Sequence, residues 1–258
     1  MKKIFLILGI IVLVLITCAV VVGFIYIGPI IKIGMEQIGP KVAQVPVKVD
    51  TVDVSIVTGS AAIKGLVVGN PAGYTSQQAI SVGTVAIKMD PMSAASSKIL
   101  IHSVHVESPE ITFEGGLSNN NLTKILNNVT SFTKNINSAN GSSVTAAPAE
   151  NKPAPKIEVD DFLITGAKVH INISEVVTKD ISLPDIHLTD LGKGGDGLTP
   201  ADLTKAVLSA ITSNTIKTVT SSVINLGQGV KGLGTSAVKT LGESVSKITG
   251  SFGGFLGK

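Results

Sequence analysis

Few residues of this chain have types and spacings that could do chemistry. Gly227-Gln-Gly229-Val-Lys-Gly232 fits the G-x-G-x-x-G pattern of dinucleotide-binding turns. That pattern works only after a strand and inside a βαβ unit, where the glycines let the backbone approach a pyrophosphate at a helix N-terminus. Here a helix-like run, Thr218 to Leu226, precedes it and more glycine follows, so no nucleotide site is expected. Gly192 to Gly197 is a flexible loop and not a Walker sequence. His102 and His105 are three apart, and a metal pair would need further ligands that the sequence does not supply. Asp50/Asp53 and Asp160-Asp161 have the composition of a general acid/base pair, but they fit exposed carboxylates at a bend better. Cys18 sits in an apolar run, where a small thiol needs no role. Asn128-Val-Thr130 and Asn172-Ile-Ser174 match glycosylation triplets that arise often by chance. No Ser, His and Asp set stands in a nucleophile context. The expectation is a protein without catalytic residues, metal or cofactor.

Composition points the same way. The chain has 258 residues and a net charge of +3, and all 21 basic residues are lysine. With no guanidinium fork and only 3% aromatics, it is poorly equipped to bind nucleic acid. One cysteine excludes a disulfide framework and a Cys-based zinc site.

The elements that would position these residues begin with an apolar run. Ile4 to Ile31 is 28 residues without a charge, between Lys2-Lys3 and Lys32. Roughly 20 apolar residues cross a hydrocarbon core, so the run predicts a transmembrane helix over 4–31 after a cytoplasmic tail at 1–3. It is too long for a signal peptide and no Ala-x-Ala site follows. The body after it is expected outside the cytoplasm.

A repeat follows. Val47-Lys-Val49-Asp-Thr-Val52-Asp-Val54 alternates apolar and polar residues, then shifts phase by one. Ile99 to Val106 and Ile157 to Ile164 do the same. Alternation predicts half-buried strands and the shift predicts a bulge or bend. A second strand follows each copy after a turn signal, at Ala61/Ile63, Ile111/Phe113 and Val169/Ile171/Ile173. Ile80 to Ile87 and Ile181 to Leu188 form a third type, the latter with Pro184, which favours a sheet edge.

Helices interrupt the strands. Leu122, Ile125, Leu126, Val129 and Phe132 recur at helical spacing, and Thr199-Pro200-Ala201-Asp202 opens a second helix as a capping box. The tail has a stripe from Val238 to Phe255 but nine glycines, so a helix there needs a surface to form on. The expected fold class is α+β. A transmembrane helix leads into a curled antiparallel sheet of repeated hairpin and meander units, with amphipathic helices inserted and at the C-terminus. The divisions are a β-rich region with a helix at 45–136, a disordered linker at 137–156, a second β-unit with a helix at 157–226, and a Gly-rich tail at 227–258.

Four stretches carry a family likeness. They are Val49-Asp-Thr-Val-Asp-Val-Ser-Ile56; Ala61-Ala-Ile-Lys-Gly-Leu-Val-Val-Gly-Asn-Pro71; Ile80-Ser-Val-Gly-Thr-Val-Ala-Ile-Lys-Met-Asp90; and Ile101 to Glu114, followed by Asn121-Leu122. Together with the N-terminal run, they resemble the start of an AsmA-family protein over residues 1 to about 130, and 157 to 191 more loosely. The resemblance implies a single-pass bacterial inner-membrane protein with a cytoplasmic N-terminus and a periplasmic β-rich body curled around an apolar groove. It also implies a part in lipid transport, lipid homeostasis or outer-membrane assembly, with phospholipid and an envelope protein as partners. The chain is too short to bridge a periplasm alone, unlike the larger members.

Val47, Val49, Ile101, Val104, Val106, Ile157, Val159, Phe162 and Ile164 are the candidate lining of such a groove. The same residues fit equally a sheet face covered by the chain's own helices. Two readings follow: a membrane-anchored, non-enzymatic lipid-binding or lipid-homeostasis protein, and an anchored scaffold with a closed β-core and no groove.

Overall fold

The computed structural model describes residues 26–138, 155–173 and 177–229. Among them, ten strands form one sheet and three helices accompany it. The strands are β1 (Val47–Lys48), β2 (Thr51–Ser55), β3 (Ser60–Gly69), β4 (Gln78–Met89), β5 (Lys98–Glu107), β6 (Glu110–Glu114), β7 (Lys156–Thr165), β8 (Lys168–Ile173), β9 (Val177–Ser182) and β10 (Ile186–Leu191). The helices are α1 (26–43), α2 (Asn121–Ser138) and α3 (Pro200–Gly229).

Eight of the strands are halves of longer ones. β1 and β2 both pair with β3; β5 and β6 both pair with β4; β7 and β8 lie along β5 and β6; β10 and β9 lie along β7 and β8. The sheet is therefore six long strands wide. The interruptions align at Asp50, Gly65, Gly83, Ser108, Gly166 and Pro184, each opposite the next in register. Gly65, Ser108 and Gly166 have φ of 62°, 47° and 63°. A Cβ on Gly65 would stand 2.0 Å from Asp50 Oδ2, so the chain needs glycine there for space as well as conformation. Across this crease each strand skips one beat of its alternation. Val49 and Val52, Val82 and Val85, Val106 and Pro109, Ile164 and Ala167, and Leu183 and Ile186 are all buried. The sheet bends while keeping its apolar side chains on one face.

The phase shifts in β5 and β7 lie on a second line. There the register between β4 and β5 slips at Lys88/Met89, His102 lies beside Asp160, and Asp190 has φ of 55°. The first copy of the repeat breaks on the crease and the other two break on this line, so the three are not equivalent. The two that are equivalent are neighbours, with Ile99 opposite Ile157 and Val106 opposite Ile164. They run parallel, as do β6 and β8. This corrects the expected all-antiparallel arrangement. A parallel pair needs a crossover, and the chain between β6 and β7 contains α2, which supplies one. The crossover also places strands from both expected β-units in a single sheet.

The helices close the apolar face. Leu122, Ile125, Leu126 and Val129 of α2 share one core with Phe113, Val159 and Val169 of the sheet and with Leu208, Ile216 and Val219 of α3. Each such side chain stabilises the fold by about 1.5–3 kcal/mol when fully buried. Asn120 caps α2, its Oδ1 accepting from Thr123 N–H at 2.8 Å. Thr199 caps α3, where Asp202 N–H donates to Thr199 Oγ1 at 3.0 Å.

The transmembrane helix expected over 4–31 must be corrected. Among the described residues no helix is long and apolar enough to cross a membrane. Within the described residues α1 runs from 26 through Lys32, Glu36 and Lys41 and lies along β1 and β2. Lys32 Nζ donates to Asp50 O at 2.9 Å, and Glu36 Oε1 accepts from Val49 N–H at 3.0 Å. Gly28 lies against Val52, where a Cβ would come within 2.0 Å of the carbonyl oxygen. Charged side chains bonded to a sheet edge give α1 the work of an edge cover. The fold class is mixed α+β with a large sheet and three helices. The single-pass inner-membrane location, with cytoplasmic N-terminus and periplasmic body, rested on that span and falls with it. Residues 1–25 with Cys18, most of the expected linker at 137–156, and the tail from 230 with most of the G-x-G-x-x-G sequence lie outside the described residues.

Candidate functional site

The nine apolar strand residues converge on the helix-covered face. Val49, Val104, Val106, Val159, Phe162 and Ile164 are buried, and Ile101 and Ile157 pack partly buried against the same core. Val47 is half-buried in β1, against Gly39 of α1. Their neighbours are the chain's own side chains. Seven of the nine, all but Val47 and Val49, belong to or pack against one continuous core that includes side chains of α2 and α3.

The opposite face carries the histidines, and each faces a carboxylate. His102 Nδ1 lies 3.2 Å from Asp160 Oδ2, His170 Nδ1 lies 2.7 Å from Asp180 Oδ1, and His105 Nδ1 lies 3.4 Å from Glu107 Oε1. His187 Nε2 bonds Asp161. These contacts are solvent-exposed, and their partners sit on adjacent strands or two residues along. Such exposed pairs contribute little, about 0–1 kcal/mol each. Asp53 pairs with Lys64 at 3.0 Å, while Asp50 lies on the crease against Gly65. His102 and His105 are thus split between separate carboxylates. Among the described residues no group of three His, Cys, Asp or Glu could hold a metal ion.

One polar cluster was not anticipated. Glu114 ends β6 and is buried. Its carboxylate accepts from Thr75 N–H at 2.6 Å, Thr75 Oγ1 at 2.8 Å, Ser76 N–H at 2.9 Å and Asn70 Nδ2 at 3.2 Å. Asn121, fully buried at the start of α2, donates to Asn70 Oδ1 and Thr112 O, each at 2.8 Å, and accepts from Glu114 N–H at 3.0 Å. Burial pushes the Glu114 carboxyl up, but the bonds from Thr75 and Ser76 outweigh it and hold the group below its ordinary range. Burial, and then the Glu114 charge, raise the neighbouring Tyr74 phenol. Four donors already occupy the Glu114 oxygens, so the carboxylate has no free position from which to move a proton. It ties the loop between β3 and β4 to the end of β6 and the head of α2. The sequence signal was an acid closing an apolar strand ahead of Gly115-Gly116, with asparagine at the next helix start. In the sequence, Asn70, Glu114 and Asn121 stand only as parts of the family likeness.

No family model, no curated protein and no solved structure matches the chain. The likeness to the AsmA family therefore has no counterpart. Lipid transport, outer-membrane assembly and the envelope setting read from it are corrected, because no family match and no membrane-crossing helix among the described residues stands behind them.

Proposed function

We propose that the chain is a non-catalytic structural or interaction scaffold whose sheet is closed by its own helices. The observation that carries this reading is the burial of Val104, Val106, Val159, Phe162 and Ile164 beneath α2 and α3, where a lipid groove would have left them open. The exposed histidine–carboxylate pairs and the saturated Glu114 cluster support it further. Both are arranged to hold strands and loops, with no reacting position beside them. Such a protein acts by presenting its polar sheet face and its loops in fixed geometry.

Val104→Asp and Phe162→Asp test the reading. A buried unpaired charge costs several kcal/mol, comparable to the stability of a domain. Both variants are expected to lose cooperative unfolding, followed by circular dichroism. Variants that melt like the parent, and that lose a co-purifying phospholipid seen by mass spectrometry, would reverse the reading in favour of a groove.

A further inference from the structure

The six large apolar side chains that are exposed among the described residues are not scattered. They are Tyr26, Ile30, Ile31 and Ile33 of α1, Val57 in the turn between β2 and β3, and Met92 in the turn after β4. The hydrogen bonds locate them relative to one another. Gly28, Lys32, Glu36 and Gly39 of α1 meet Val52, Asp50, Val49 and Val47 in that order, so α1 runs antiparallel to β1 and β2. Its first described residues therefore lie beside the second half of β2, on the side of the turn that holds Val57. Met89 N–H donates to Gly59 O at 2.7 Å, and Gly59 packs on Pro91, which joins that turn to the one holding Met92. Val57, Met92 and Tyr26 thus gather toward one pole of the sheet, and Ile30, Ile31 and Ile33 follow along α1 from there toward the crease, where Lys32 meets Asp50.

The exposed face of α1 is graded along its length. It reads Tyr26, Ile30 and Ile33, and then Gln37 and Lys41, so it turns from apolar to polar with distance from the pole. Val57 is 82% and Met92 87% exposed, at the tips of tight turns. These are protrusions and not a groove. A folded protein partner would need a separate pocket for each, whereas the acyl region of a lipid surface receives any protruding apolar side chain. In the sequence, the residues just before the described part of α1, 4–25, carry no charge.

We infer that this pole is a docking surface for a lipid bilayer, with the Val57 and Met92 tips seated in its interface beside Tyr26 of α1. The contact is made by described residues at the surface and requires no helix that crosses. It adds to the scaffold reading a direction, with one pole on lipid and the polar sheet face and the Glu114 end held away from it.

The chain contains no tryptophan, so single substitutions report position directly. Val57→Trp and Met92→Trp in the full chain, mixed with phosphatidylcholine vesicles, should each shift to shorter emission wavelength and be quenched by brominated acyl chains. Ala72→Trp, in the loop at the far end of β3, should do neither. Unchanged emission from both tip reporters would overturn the inference. So would a blue shift that appears without vesicles and grows with protein concentration, because it would assign the pole to a second copy of the chain. Equal quenching of the Ala72 reporter would overturn it too, by removing the orientation.

Discussion

The two ends of the β3–β4 hairpin are finished in opposite ways. At one end, the loop from Asn70 to Gln77 folds over a buried carboxylate, and Thr75, Ser76, Asn70 and Asn121 supply bonds around it. At the other, the turns holding Val57 and Met92 send apolar side chains into solvent with nothing of the described chain over them. The first end is closed on itself, since the Glu114 carboxylate and the Asn70 and Asn121 amides find their partners inside the fold. The second exposes the kind of surface the rest of the molecule buries. An end whose demands are met internally serves stability, and an end whose demands are not met looks outward. The difference separates architecture from contact without reference to any relative.

The contrast can be broken most directly at the polar end. Glu114→Ala removes the acceptor for four donors and should cost about 2–4 kcal/mol. In a chain of this size that is a fall in Tm of roughly 5–15 °C by calorimetry. A fall of less than a degree would mean that the loop is held by something other than the carboxylate.

Acid should reproduce part of that effect. The folded Glu114 carboxyl titrates below its unfolded value, so its stabilisation is fully present above the ordinary glutamate range near pH 4.3 and is lost as pH falls through the depressed value. Urea midpoints measured from pH 6 down to pH 3 should therefore fall more steeply for the parent than for Glu114→Gln. Parallel curves would remove Glu114 from the acid response.

The smallest effect belongs to the apolar end. Val57→Ser with Met92→Ser should leave the unfolding free energy within about 0.5 kcal/mol of the parent, because both side chains are largely exposed. A large loss of stability there would show that these tips are held within the fold, and the contrast between the ends would disappear.

Alternation made the strands readable. Val82 and Val85, or Ile164 and Ala167, announce both a buried face and the place where its phase changes. Alternation says which way a side chain points but not which strand lies beside it. For that reason the parallel pairing of Ile99 with Ile157 was not anticipated, although the repeat that makes the two strands alike was in plain view. The uncharged run up to Ile31 suggested a membrane helix, but hydropathy over a window does not see Lys32 and Glu36 bonding to the edge of a sheet. The Glu114 cluster was out of reach for another reason. Asn70 and Glu114 stand 44 residues apart, and Asn70 and Asn121 stand 51 apart, so no local pattern links them. The candidate groove residues were recognisable as apolar strand positions, but what covers them depends on the course of α2 and α3.

The crease has a consequence for how the chain finds its pairing. A strand of period two can slide by two residues and still bury the same face, so alternation by itself leaves several alignments nearly equal. A skipped beat removes that freedom, because a strand displaced by two residues would set its skip against a neighbour's unbroken stretch and turn a length of apolar side chains outward. With Asp50, Gly65, Gly83, Ser108, Gly166 and Pro184 on one line, every strand carries the same index mark. Each new strand is aligned by the mark on the one before it, as teeth are by a key. A sheet assembled from distant parts of the chain can thus be joined in a single frame, however long the connections between its strands.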